Sequence, residues 1–125
     1  MASIRKEVQL SSTADDAWKV IGDFATGPSR MAPGFVVDTR ADGDQRTVTF
    51  ADGTVAQERL IAVDHDARRI VYALVGPEHD NASMQVVDDG HGCRLIWIHD
   101  VLPDGVAARI EAAMTQGLAV IRRTL

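Results

Sequence analysis

The spacing of hydrophobic residues divides the chain into a short early helix, a long run of strands and a final helix. Alternation of apolar and polar side chains predicts a strand at 4–10 and six more between residues 35 and 101. Turn signals such as Asp52-Gly53 separate the later strands at short intervals. Short turns join antiparallel neighbours, and the pattern therefore predicts an antiparallel meander.

The early helix is predicted directly after the first strand. Ser11, Ser12 and Thr13 offer caps for its first turn, and Asp15 and Asp16 place negative charge where the N-terminus of a helix favours it. Trp18 and Ile21 follow at helical spacing, and glycines then end the pattern.

The last segment, residues 103–125, carries an uninterrupted helical pattern. Its apolar residues recur every three or four positions and share one face: Ile110, Met114, Leu118, Ile121 and Leu125. The other side is polar, and we expect Arg109, Gln116 and Arg123 to be exposed. A helix that arrives last must bury its stripe against a sheet already formed. The prediction is an α+β fold in one domain, residues 1–125, with a curved antiparallel sheet wrapped around the C-terminal helix, the helix-grip architecture.

Composition and charge narrow the range of partners. The hydrophobic fraction is 46% and the charged fraction 25%, both ordinary for a globular protein. A net charge of −5 disfavours nucleic acid and anionic membranes, which need clustered lysine and arginine. The single Cys93 excludes an internal disulfide and fits a reducing compartment. We expect a cytoplasmic protein without a membrane span, and the sequence leaves a homodimer open.

Metal and nucleotide motifs are absent from the sequence. It contains no HExxH, CxxC or GxGxxG, and His65, His79 and His91 lie in polar, turn-like stretches. A zinc site needs three or four ligands at fixed geometry, and no pair of histidines has the required spacing. We therefore expect no metal and no cofactor.

A family resemblance is carried by pieces spread along nearly the whole chain. These are VQLSSTADDAWKVIGDF near the start, QERLIAVDHDARRIVYALVG in the middle, and DDGHGCRLIW followed by LPDG near the end. Together, in this order, the chain resembles the SRPBCC superfamily and its polyketide cyclase/dehydrase-like branch. The resemblance implies the helix-grip fold with an internal cavity. It does not imply one activity, because the superfamily includes enzymes, carriers and receptors.

Glu58 is the first candidate functional residue. It shares a strand face with Ala56, Leu60 and Ala62, and these small or apolar neighbours favour an inward direction. A carboxylate that faces an apolar cavity must be solvated, hydrogen-bonded or kept neutral. The resemblance implies a glutamate at this point in a pocket water network. The alternative is that Glu58 pairs with an arginine at the surface.

Tyr72 and His99 are the other two candidates for acid/base chemistry. Tyr72 shares a face with Ile70 and Leu74, where its phenol is either a donor inside the cavity or ordinary core. Both faces of the last strand hold apolar residues, so parity alone does not orient His99. The resemblance implies that the Trp97 face points inward, which would place His99 near one mouth of the cavity. The alternative is a half-exposed histidine at the end of a strand.

These observations favour one function over another. We expect the protein to bind or transport a small apolar or amphipathic molecule in a cavity between the sheet and the last helix. The residues expected to contact it are Glu58, Leu60, Tyr72, Leu74, Met84, Trp97, His99, Met114 and Leu118. The alternative is a polyketide cyclase/dehydratase-like enzyme that uses Glu58, Tyr72 or His99 for acid/base chemistry. The sequence does not decide whether a reaction is catalysed.

Overall fold

The computed structural model describes residues 2–125, and over these residues the predicted α+β architecture is confirmed. Its strands are β1 (Ala2–Leu10), β2 (Val36–Asp42), β3 (Gln45–Phe50), β4 (Val55–Asp64), β5 (Arg69–Leu74), β6 (His79–Asp88) and β7 (Cys93–Leu102). They pair antiparallel in one curved sheet with the order β1-β7-β6-β5-β4-β3-β2. The helices are α1 (Ala14–Ile21), α2 (Gly27–Met31) and the C-terminal α3 (Ala107–Thr124).

The two early helices cover part of the sheet. Of the three candidate caps, Thr13 is the one that caps α1, by accepting a hydrogen bond from the backbone N–H of Asp16 at 3.1 Å. α1 packs against β6 and β7, and α2 packs against β2. Trp18 and Ile21 of α1 are buried in the main hydrophobic core.

Two elements begin three or more residues from the predicted position. The final helix begins at Ala107 rather than at Pro103, because Pro103 is extended and a 3₁₀ turn, Asp104–Val106, comes first. Gly105 lies in this turn, and glycine disfavours a regular helix. β6 begins at His79 rather than at residue 82. This earlier start brings Asp80 into the sheet.

α3 lies with its apolar face toward the inner side of the sheet. Met114, Leu118 and Ile121 are buried, as predicted, whereas Ile110 is only half-buried. The three polar positions predicted to be exposed are exposed: Arg109, Gln116 and Arg123. Among residues 2–125, no helix is both long and apolar enough to cross a membrane.

Two contacts fix the position of α3. The backbone N–H and the hydroxyl of Ser12 both donate to the carbonyl of Leu125, at 2.9 and 2.7 Å. Midway along the helix, a Cβ on Gly117 would lie 3.2 Å from the ring of Phe35 and 3.3 Å from the ring of Trp97. Gly117 therefore allows two aromatic rings to approach the helix backbone closely.

β4 contains an irregularity that corrects one predicted face. The pairing of β4 with β5 shifts register between Leu60 and Ala62. Beyond the shift Ala62 is exposed, and Val63 packs toward the core instead. The alternation that places Glu58 and Leu60 on the inner face therefore does not extend to Ala62.

Candidate functional site

A cavity of about 730 Å³ lies between the inner face of the sheet and α3. Its walls are mainly apolar side chains, among them Ile70, Met84, Trp97, Met114 and Ile121. Exposed lining residues include two from the β3–β4 hairpin and two from the middle of α3: Thr54, Val55, Ala113 and Gln116. The cavity therefore opens between that hairpin and the helix. Its volume is typical of small-molecule sites, which occupy roughly 300–1,000 Å³.

A buried ion pair joins β3 and β4 on the cavity wall. The register pairs Arg46 directly with Glu58, and both strands turn these positions inward. The Nε of Arg46 donates to Oε1 of Glu58 at 2.8 Å, and the two side chains are 5% and 9% exposed. Glu58 therefore does pair with an arginine across the strands, but inside the protein rather than at its surface.

Arg46 is held by three further contacts. Its Nη1 donates to the backbone carbonyl of Phe24 at 2.9 Å. Its guanidinium carbon lies 4.3 Å from the ring centre of Phe24 and 5.0 Å from that of Tyr72. A planar guanidinium suits such stacking better than an ammonium would. The loop after α1 is thereby tied to the sheet through one side chain.

Burial changes the acidity of Glu58. Loss of solvation raises the pKa of its carboxyl above the ordinary value, and the neighbouring Arg46 opposes that shift. Burial, aided by the negative charge of Glu58, also raises the pKa of the Tyr72 phenol. The phenol of Tyr72 therefore stays protonated at neutral pH and is a hydrogen-bonding group rather than a base.

A second buried pair joins β6 and β7. Asp80 and His99 are diagonal neighbours on the inner face, and Nδ1 of His99 lies 2.6 Å from Oδ1 of Asp80. The side chains are each 7% exposed. Since an ionised carboxylate can only accept, Nδ1 is the protonated nitrogen, and Nε2 is left for other interactions. The histidine is buried, and the alternative of a half-exposed histidine at the end of a strand is wrong.

Aromatic rings connect the two pairs. Tyr72 and His99 flank the small Ala82 in the sheet register, and their rings meet edge to face with centres 6.3 Å apart. The indole Nε1 of Trp97 donates to the hydroxyl of Tyr72 at 3.2 Å, and the Trp97 ring centre lies 5.4 Å from that of His99. The polar groups thus form one continuous cluster beside an apolar wall.

The structure brings most of the predicted contact residues to one cavity. Seven of the nine border it: Glu58, Tyr72, Leu74, Met84, Trp97, His99 and Met114. Leu60 and Leu118 do not border the cavity. They pack in the hydrophobic core beside it, which corrects the expectation that they line the site. Whether the seven bind a ligand stays a prediction.

Sequence reasoning missed Arg46 and Asp80. Strand parity contained a signal for both, because Arg46 alternates with Val48 and Asp80 alternates with Ala82. Charged side chains are rarely buried, which favours the surface unless a partner is known. The predicted strand also began at residue 82, three residues too late, and therefore left out Asp80. Among the described residues, no group of three His, Cys, Asp or Glu side chains is arranged to hold a metal ion.

Comparison with known proteins places this geometry in a family. The family described as polyketide cyclase/dehydrase and lipid transport matches residues 1–125. The chain belongs to this family. A search of curated proteins gives no match.

Similar solved structures share the fold at low sequence identity. A crystal structure of a protein from Bacillus thuringiensis has a TM-score of 0.85 at 17% identity, covering 98% of this chain and 97% of that one. The di-domain ARO/CYC protein BexL of the BE-7585A biosynthetic pathway has a TM-score of 0.77 at 17% identity, covering 99% of this chain and 46% of that one. A norcoclaurine synthase point mutant from Thalictrum flavum, in complex with a transition-state analogue, has a TM-score of 0.66 at 21% identity, covering 98% and 92%.

Proposed function

We propose that this protein binds and carries a small, mainly apolar molecule in the cavity between the sheet and α3. The observation that supports it most strongly is an open cavity of about 730 Å³ with an apolar wall and one polar cluster. Apolar walls supply affinity through burial, and a few fixed polar groups supply orientation. Lipid transport in the family description agrees with a carrier.

The polar cluster is preorganised for binding. Arg46 is fixed by Glu58 and by the Phe24 carbonyl, and His99 is fixed by Asp80. Groups that are already held in place lose little conformational freedom when a ligand arrives. The cluster therefore orients a ligand at low entropic cost.

The proposal is tested with the neutral fluorescent probe 1-aminoanthracene. We expect saturable binding at one site per chain, with enhanced fluorescence. Ala113→Trp should weaken it by about tenfold or more, because Ala113 lines the cavity at its mouth. The matched control is Ala119→Trp, which places the same side chain on an exposed part of α3 away from the cavity. Absence of binding, or equal weakening by both substitutions, would refute the proposal.

A second function, a cyclase- or dehydratase-like enzyme, is favoured by one specific observation. His99 faces the cavity with Asp80 on its Nδ1, an arrangement that suits a general base, and the carboxyl of Glu58 lines the same cavity. The fold is also that of BexL and norcoclaurine synthase. The test is incubation with an aromatic poly-β-ketone thioester, with product detected by mass spectrometry. Turnover that falls by about 10²–10⁴ in Glu58→Gln or His99→Gln, while binding survives, would support the enzyme over the carrier.

A further inference from the structure

The polar cluster constrains the charge of the molecule that enters the cavity. It contains two carboxyl groups, Glu58 and Asp80, and one guanidinium, that of Arg46, which already donates to Glu58 and to a backbone carbonyl. No surplus positive charge is therefore available in the cluster for an anion. The other arginine that lines the cavity, Arg109, is exposed and is paired with Glu78. Glu58 and Asp80 already have Arg46 and His99 as partners, so neither carboxyl is free to pair with a cation. A carboxylate or phosphate placed here would be desolvated beside two acidic groups, which is unfavourable.

His99 supplies the polar atom that is ready for a ligand. Nδ1 is occupied by Asp80, and within residues 2–125 no hydrogen bond is made to Nε2. Every fully buried side-chain nitrogen or oxygen in that part of the chain has a partner, and Nε2 therefore retains access to the cavity that His99 lines. In the neutral ring Nε2 carries a lone pair and accepts a hydrogen bond.

We infer that the cavity selects an uncharged, mainly apolar ligand with a hydroxyl group, which donates to Nε2 of His99, while Asp80 acts as the positioning residue for that histidine. The inference rests on the binding function proposed above and names the class of ligand. The neighbouring ring of Trp97 and the side chains of Met84 and Met114 provide the apolar surface for the rest of the molecule. Trp gives a flat wall, and Met adapts to irregular shapes.

The test compares four naphthalene derivatives by isothermal titration calorimetry at pH 8, where ordinary imidazole is neutral. 2-Naphthol offers a donor, 2-methoxynaphthalene does not, 2-naphthoate is an anion, and 2-naphthylmethylamine is a cation. We expect naphthol to bind about 3- to 10-fold more tightly than the methyl ether, because one additional hydrogen bond typically increases affinity by this factor. Naphthoate should bind at least about tenfold more weakly than naphthol. Equal binding of naphthol and its ether, or tighter binding of either ion, would overturn the inference.

Variants assign the contact to His99. Asp80→Leu/His99→Phe removes both partners together and leaves no unpaired buried charge. It should bind naphthol and its ether equally. Asp80→Asn keeps the size of Asp80 but lets the amide donate to Nδ1, which moves the ring proton to Nε2, and it should reduce the preference for naphthol while the ether still binds. Loss of the preference in Tyr72→Phe would instead assign the contact to the phenol and overturn the inference.

The outcomes separate this inference from the function on which it rests. If 1-aminoanthracene and all four naphthalenes fail to bind the wild-type protein, the binding function itself is wrong. If the methyl ether binds as well as naphthol, the cavity binds small molecules but His99 does not select them. The comparison within the wild-type protein is decisive even when a variant fails to fold.

Discussion

The ion pair between Arg46 and Glu58 should couple strongly to the stability of the fold. Both side chains are almost fully buried, so solvent screens their interaction little. Removal of Arg46, as in Arg46→Met, leaves a buried carboxylate and should cost about 3–5 kcal/mol. The same change also breaks the hydrogen bond to the Phe24 carbonyl and the contacts with two aromatic rings. Glu58→Gln keeps size and leaves the guanidinium unneutralised, and it should cost about 1–3 kcal/mol.

A double-mutant cycle measures the coupling. If the pair forms as described, Arg46→Met/Glu58→Gln should be less destabilised than the sum of its parts by about 1–3 kcal/mol. Urea denaturation followed by circular dichroism gives each free energy of unfolding. The matched control is the surface pair Arg40–Asp38, which has the same 2.8 Å separation but side chains that are 83% and 47% exposed. Its coupling should stay within about 0–1 kcal/mol. Additivity within about 0.5 kcal/mol at Arg46 and Glu58 would refute the reasoning.

Three further predictions concern the cavity and its walls. Tyr72 is the single tyrosine, and because burial raises its pKa, only the unfolded chain loses the phenolic proton just above pH 10. The free energy of unfolding should therefore fall as pH rises from there, and tyrosinate absorbance should appear only with unfolding. Tyr72→Phe should remove this pH dependence of stability. Met114→Ala should cost about 2–5 kcal/mol by urea denaturation, and Ile110→Ala should cost less because Ile110 is half-buried. Gly117→Ala should weaken binding of 1-aminoanthracene, because two rings that line the cavity must shift into it, whereas Gly105→Ala, with open space around it, should leave the affinity unchanged.

The fold could be predicted from the sequence because its signals are local and repeated. Alternation identifies each strand, and the apolar stripe of the last helix identifies the surface that it must cover. The start of that helix could not be placed, because the 3₁₀ turn Asp104–Val106 depends on how the chain leaves β7. The register shift near Ala62 is likewise invisible, since a bulge is decided by pairing with a distant strand.

Only part of the candidate site could be predicted from the sequence. Glu58 and His99 could be proposed from strand parity and family resemblance, but the buried position of each depends on a partner on another strand. Arg46 lies 12 residues from Glu58, and Asp80 lies 19 residues from His99. A buried charge is unfavourable alone and acceptable in a pair. Arg46 and Asp80 could therefore not be placed inside before their partners were known. Only the sheet register shows that the pairs exist.

A crystal structure of the protein with 2-naphthol tests the central claim most directly. We predict one molecule in the cavity, with its rings against Trp97 and Met114 and its hydroxyl within hydrogen-bonding distance of Nε2 of His99. Naphthol bound on the outer face of the sheet, or a cavity closed by its own side chains with no ligand inside, would contradict the account.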